Sequence, residues 1–338
     1  LRKVFFLFML LLCLTLIKPV PESNLSRQIG QKVLNVQQGL QHEESAKKVE
    51  LKTPDDQEFA INNIQINQTK SEVEKKLGKP KRITVNEYNE KWHVYHNDYH
   101  EFVMVSYGHD KVTGLYTNQD LITSKKGITS KMNKDKVRSI LGEPEKAIEK
   151  EKVKLIQNDE DYDVFKFDNI YTTVFYDKHE NNQIKGLMQI VSSTEDKRTN
   201  QYHAASDEYK KALELQNFDL VNAERVQFGL PTLTYNERIS ETARKHSQDM
   251  VNNDYFDHNN KQGMSPFDRL DRDGFKYVTA GENLAYGQIS SIYAHHGLMN
   301  SLGHRKNILN KDYKELGVGV DIGEELQPYW TENYITQQ

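Results

Sequence analysis

His258, Glu282 and His304 place two imidazoles and a carboxylate in three separate segments that are expected to meet in one cleft. Each sits in a short, distinctive pattern: Tyr255-Phe256-Asp257-His258, Ala280-Gly281-Glu282-Asn283-Leu284-Ala285, and Asn300-Ser301-Leu302-Gly303-His304-Arg305-Lys306-Asn307-Ile308-Leu309. Three chemistries are open to such a trio. Two neutral imidazoles and one carboxylate suffice for a catalytic-style zinc, or another divalent cation, which takes three protein ligands and keeps a position for water. That metal would lower the pKa of the water to about 7 and make a hydrolytic nucleophile. Without a metal, Glu282 could act as base and a histidine as its orienter or as acid. The third reading is a hydrogen-bonded polar cluster that holds the fold. Neither Gly-x-Ser-x-Gly nor His-Glu-x-x-His occurs, so the two commonest hydrolase signatures add nothing. Ser265 and Ser301 fall in a helix cap and a turn and have no claim to be nucleophiles.

The elements that must carry these residues follow from local pattern. Tyr202 to about Gly229 reads as a helix ending in Gly229-Leu230-Pro231. Asn236 caps another, whose apolar face is Ile239, Ala243, His246 and Met250 at helical steps. His246 therefore lies on a core-facing stripe, where a hydrogen-bonded structural role competes with ligation or catalysis. Ser265-Pro266-Phe267-Asp268 opens a short helix with a cap, Pro at the first position and an acid in the first turn. Ser290 to Leu302 is helical, and the adjacent His295 and His296 point about 100° apart, so one is expected to pack and the other to be solvated. Leu316–Ile322 and Tyr329–Ile335 alternate as strands. Helices followed by two terminal strands suggest a three-layer α-β-α sandwich.

Upstream, an internal repeat organises the chain. Thr69-Lys70-Ser71-Glu72-Val73-Glu74-Lys75-Lys76-Leu77-Gly78-Lys79-Pro80 aligns without a gap to Asn133-Lys134-Asp135-Lys136-Val137-Arg138-Ser139-Ile140-Leu141-Gly142-Glu143-Pro144. Each is a short helix capped by Thr or Asn and stopped by Gly and Pro. Strand-like alternation follows: near Arg82–Tyr88, Lys91–Tyr95, Glu101–Tyr107 and Val112–Thr117, then near Tyr162–Phe167, Tyr171–Tyr176 and Ile184–Ile190. The fold class is α+β, a duplicated helix-plus-antiparallel-sheet domain over 58–196 ahead of the sandwich at 202–338. His93, His96, His100 and His109 cluster only in the first copy, which favours structural roles over a metal site.

With 338 residues, the chain is long enough for about two domains with cores of their own. A net charge of −4 with interspersed signs leaves no broad basic footprint, so nucleic acid is not an expected partner. The single cysteine, Cys13, excludes an intrachain disulfide framework and lies in an apolar run. That run, Arg2 and Lys3 followed by Val4 to Ile17, has the layout of a secretory signal and is short for a spanning helix of about 20 residues. Lys18-Pro19-Val20-Pro21 offers no small-residue cleavage site, so 1–18 is read as either a signal peptide or an N-terminal membrane anchor. Residues 19–57, polar and without aromatics up to Gln57, read as a linker, with Val33, Val36 and Leu40 at helical spacing.

The stretch from Tyr202 to Ile335 resembles the CAP superfamily of cysteine-rich secretory, antigen 5 and pathogenesis-related proteins, also called SCP domains. The resemblance rests, in order, on Ala243-Arg244-Lys245-His246-Ser247-Gln248-Asp249-Met250, the segment ending in His258, Gly281-Glu282-Asn283-Leu284-Ala285, Gly303-His304-Arg305-Lys306-Asn307-Ile308-Leu309, and Leu316-Gly317-Val318-Gly319-Val320. The repeat domain resembles the N-terminal domain attached to CAP domains in Gram-positive bacteria. The family implies a cleft of two histidines and two acids that binds zinc or another divalent ion in some members. His258, Glu282 and His304 match three of those positions. The position of the remaining acid falls near Ser301, a departure from the family pattern that leaves the set of four incomplete, and Glu332, on a strand face with Trp330 and Tyr334, is the candidate replacement. The implied function is an exported protein, secreted or anchored outside the membrane, that binds a metal or an extracellular or cell-envelope ligand. The alternatives are an extracellular hydrolase such as a peptidase, or a lipid carrier as among eukaryotic relatives.

Overall fold

The computed structural model describes residues 49–150, 154–157, 160–198 and 200–338. The initial apolar run with Cys13, and the spacing of Val33, Val36 and Leu40, lie outside the described residues. In chain order the first half contains β1 (Phe59–Ile61), α1 (Lys70–Leu77), β2 (Arg82–Val85), β3 (Lys91–Asn97), β4 (His100–Gly108), β5 (Lys111–Thr117), β6 (Ile122–Ser124), α2 (Lys134–Leu141), β7 (Ala147–Glu149), β8 (Lys154–Ile156), β9 (Tyr162–Phe167), β10 (Ile170–Asp177), β11 (Gln183–Val191) and the short α3 (Ser192–Glu195). The second half contains α4 (Asp207–Gln227), β12 (Thr234–Tyr235), α5 (Glu237–Asn252), α6 (Pro266–Arg272), β13 (Tyr277–Tyr286), α7 (Ser291–Asn300), α8 (Leu302–Ile308), β14 (Glu315–Ile322) and β15 (Pro328–Gln337). No helix among the described residues is long and apolar enough to cross a membrane.

The repeat folds as two matched halves of one sheet. Thr69 and Glu72 form a reciprocal capping box on α1, and the Asn133 side chain caps α2 through the Lys136 amide at 3.1 Å. Gly78 and Gly142 end these helices at φ 78° and 91°, a region where a Cβ is strained. Val73 and Val137 are the buried residues of α1 and α2, and both enter a core with Tyr95, Val105, Leu115 and Leu187. Seven antiparallel strands run in the order β2-β3-β4-β5-β11-β10-β9. The seam is β5 against β11, the last strand of each copy, from Gly114↔Ile190 to Thr117↔Leu187. Bridges Thr69↔Lys111 and Asn133↔Gln183 tie each helix cap to the start of the strand at the seam. The sequence pattern missed two small pairings, β1 with β6 and β7 with β8, because three-residue strands are too short to show a period.

One face of the seven-stranded sheet carries α1 and α2. The other, with Trp92, Phe102, Met104, Tyr116, Phe175 and Met188, packs on Leu220 and Ala223 of α4 and Ile292 of α7. The opposite side of α4 contributes Tyr209, Leu213 and Val221 to a core with Leu316, Val318, Trp330 and Tyr334. Lying between two sheets, α4 buries polar residues as well as apolar ones, and its acids are paired because an isolated buried charge is costly. Asp219 meets Arg82 at 2.7 Å and the Tyr99 hydroxyl at 3.0 Å, Glu224 meets Lys185 at 2.8 Å, and Glu214 meets Arg244 at 2.5 Å.

This layering corrects the expectation for the adjacent histidines. Both are buried: His296 stacks on Phe175 with ring centroids 4.1 Å apart and meets the Tyr116 hydroxyl at 2.9 Å, while His295 lies 3.6 Å from Glu224. The helix face that would be wet in an isolated C-terminal half is covered by the first half.

The second half is the expected sandwich. Its sheet runs β12-β14-β15-β13, with β12 parallel to β14 and the rest antiparallel. Helices α4, α7 and α8 cover one face, and α5 and α6 cover the other, where Ile239, Leu270, Phe275 and Ile335 form a core.

Of the first-copy histidines, His93 is buried edge-on to Tyr107, and His96 accepts the Tyr99 amide through Nδ1 at 2.9 Å. Burial pushes both down to about 4 from an ordinary 6.5. The unfolded chain takes up these protons below 6.5 while the folded chain resists them, so stability is lost as the pH falls from 6.5 toward 4. Glu87 works in the opposite sense: burial pushes its carboxyl up to about 7, and its contribution is lost as the pH rises through that value. His93→Phe is expected to flatten the acid-side fall of Tm relative to the unmodified protein. Equal slopes in a Tm-against-pH series would show that His93 protonates without cost.

Candidate functional site

β13 is an edge strand, and consecutive residues on a strand face opposite ways. Glu282 therefore points toward α5 and α6, and Asn283 toward α7 and α8. Each holds one of the two histidines.

Glu282 has a side chain only 1% exposed. Its Oε1 is 2.9 Å from His258 Nδ1, and its Oε2 accepts Arg269 Nη2 at 2.6 Å. A carboxylate only accepts, so Nδ1 carries the hydrogen and the lone pair of the neutral His258 ring is on Nε2. The His258 side chain remains 49% exposed. Arg269 also donates through Nη1 to His258 O at 2.8 Å and to Met264 O at 3.1 Å. The segment before His258 is held as well, by His246 Nε2 on Asp257 O at 3.0 Å. Burial lowers the His246 pKa, with Glu282 pulling the other way. His246 is thus a buried anchor for the His258 loop.

On the other side of the strand, Asn283 Nδ2 donates to His304 O at 3.2 Å and to Glu332 Oε2 at 2.9 Å. Asn307 Nδ2 donates to Glu282 O at 3.1 Å and to Asn283 Oδ1 at 2.8 Å, locking α8 to β13. His304 is half-buried, and burial lowers its pKa. The Glu332 charge opposes that shift and His258 adds to it, so His304 lies within electrostatic reach of both. Glu332 itself is fully buried, takes the Tyr334 hydroxyl at 2.6 Å, and leaves Oε1 without a hydrogen-bond partner. It stands behind His304 on the face opposite Glu282. Ser301 sits at the α7–α8 junction and makes no side-chain cap there.

The structure thus joins His258 to Glu282 and brings His304 within electrostatic reach of His258 and of the enclosed Glu332. Among the described residues, no group of three or more His, Cys, Asp and Glu side chains is placed to hold a metal ion. Both Glu282 oxygens are engaged, one by His258 and one by the Arg269 guanidinium, so that carboxylate orients His258. Sequence reasoning missed Arg269. The available signal was the acid itself, since a carboxylate buried on a strand demands a cation opposite.

Comparison with known proteins covers both halves of the chain. The model of the CAP-associated N-terminal domain matches residues 66–202, and that of the cysteine-rich secretory protein family matches 218–334. A Bacillus subtilis (strain 168) protein described as the uncharacterized membrane protein YlbC is 31% identical over 283 residues, covering 78% of this chain and 80% of its own. The chain belongs to the CAP family. YkwD of the same organism, described as an uncharacterized protein, is 44% identical over 125 residues, which are 37% of this CAP chain and 47% of YkwD. The fold is shared with an extracellular SCP-domain protein from Bacillus anthracis, with TM-score 0.70, 24% identity and coverage of 86% of this chain and 100% of that one. It is also shared with a cysteine-rich secretory protein from Staphylococcus aureus, with TM-score 0.62, 17% identity and coverage of 85% and 95%.

Proposed function

We propose that this CAP protein works outside the cell membrane and binds an extracellular or cell-envelope ligand through the paired imidazoles of His258 and His304. The observation that carries the reading is the His258 ring, half exposed yet fixed by a buried carboxylate that is itself fixed by Arg269. A ring so held presents one defined nitrogen, Nε2, to the cleft. A divalent cation such as zinc would be held by the two imidazoles, with Glu282 supporting His258 from behind as carboxylates commonly do for ligating histidines. When bound, it would supply a Lewis-acidic point for an oxygen of the ligand. Binding is favoured over hydrolysis because both Glu282 oxygens are already engaged, one by His258 and one by Arg269. The descriptions of the relatives as a membrane protein and an extracellular protein support the location.

Titrating zinc into the full-length chain by calorimetry tests the reading. His258→Ala and His304→Ala are each expected to weaken binding by about tenfold or more, and acidification should weaken it further because protons compete with the metal for ligating nitrogens. Equal affinity in both variants and the unmodified chain would sink the imidazole pair as the anchor.

A further inference from the structure

A cavity of about 560 Å³ lies between the two halves, on the opposite side of α7 from the C-terminal sheet. Its walls come from β9 and β10 of the first half and from the start of α7 and the turn after β13 of the second. The size and the position between domains are those of small-molecule sites, roughly 300–1,000 Å³. Aromatic rings dominate the lining: Tyr88, Tyr162, Tyr171, Phe175, Tyr286 and Tyr293. Tyr293 stands edge-on to Tyr162 and to Phe175, with centroids 5.2 Å away in both cases, so these rings brace one another.

The ionised residues of the lining, Lys154 and Arg198 against Asp161 and Glu195, sum to zero. Arg198 is 2.7 Å from Glu195, which also pairs with Lys150 at 2.7 Å, and Asp161 pairs with Lys178 at 2.5 Å. These ionised groups have counter-ions already, so a charged ligand would enter without compensation. The lining also holds the amides of Gln157, Gln201 and Gln288, groups that donate and accept alike.

We propose that this cavity binds a neutral saccharide of about disaccharide size. A sugar ring offers a C–H face that sits against the negative face of an aromatic ring, and hydroxyls that donate and accept to amides. This is the combination the walls present, and the site is independent of the His258 cleft. The test is calorimetric titration of the full-length chain with two probes, the β-1,4-linked disaccharide of N-acetylglucosamine and cellobiose. At least one is expected to bind saturably, with Tyr162→Ala and Gln288→Ala each weakening it by about tenfold and His258→Ala leaving it unchanged. Hydrogen exchange on the unmodified chain is expected to slow at 171–175 and 286–289 on saturation, which decides the matter if either cavity variant fails to fold. Absence of saturable binding up to about 10 mM, unchanged affinity in both cavity variants, or slowing at 255–258 and 302–308 instead would overturn the proposal. So would binding of an uncharged extended hexapeptide in place of both sugars.

Discussion

Gly319→Ala is expected to leave the C-terminal half without a stable sandwich. A methyl added there would lie 2.0 Å from the Arg244 amide nitrogen and 2.3 Å from the Ala243 carbonyl carbon. Both are backbone atoms of α5, so no flexible side chain can move aside. The helix would have to lift from β14, breaking the bond from Ser247 Oγ to Gly319 O at 3.0 Å and loosening the buried Ala243 and Met250. Overpacking of an ordinary core costs about 1–3 kcal/mol. A backbone-on-backbone clash belongs to the exceptional class above about 4 kcal/mol. Denaturant unfolding of the variant measures this. A loss below about 1 kcal/mol would show that α5 rides on β14 with slack the distances do not display.

Arg269→Met is expected to act on stability and on the cleft together. It removes the guanidinium from Glu282, whose side chain is 1% exposed, and removes the bonds to His258 O and Met264 O. Breaking a buried pair from one side costs about 3–5 kcal/mol because the other charge stays buried. The double variant Arg269→Met with Glu282→Met is expected to recover part of that loss, since no lone charge remains. Zinc affinity should fall in both: the single variant frees Glu282 and the His258 carbonyl from Arg269, and the double variant also takes the carboxylate from His258 Nδ1. If the single variant is as stable as the unmodified chain, Glu282 is not held as a charge by Arg269.

Local order was readable wherever the reason for it was local. The two capped helices, the Gly-Pro stops and the strand alternation follow from neighbours a few residues apart, and the folded elements match them. The close approach of Glu282 to His258 was legible from distinctive segments that resemble a family. What escaped has partners remote in sequence. Nothing in Gly114-Leu115 or Gly186-Leu187 announces that β5 and β11 pair with each other. Nothing around His295 and His296 shows that a sheet over a hundred residues upstream covers them, at Tyr116 and Phe175. Glu332 was a candidate replacement acid for the cleft by its strand face. The structure encloses it behind His304 beneath Asn283 and Tyr334, because the residue opposite it across the β13–β15 pairing is Asn283, not Glu282.

The position of α4 between two sheets bears on synthesis. The strands that present Trp92, Phe102, Met104 and Tyr116 leave the ribosome well before Leu220, Ala223 and Ile292, which cover them. A nascent N-terminal half therefore carries a broad greasy face with no cover until the polypeptide has grown past α4. Such a face is a point of self-association for chains waiting side by side. The protein's yield should thus depend on how quickly α4 follows the sheet out, or on what shields Trp92 and its neighbours in the interval.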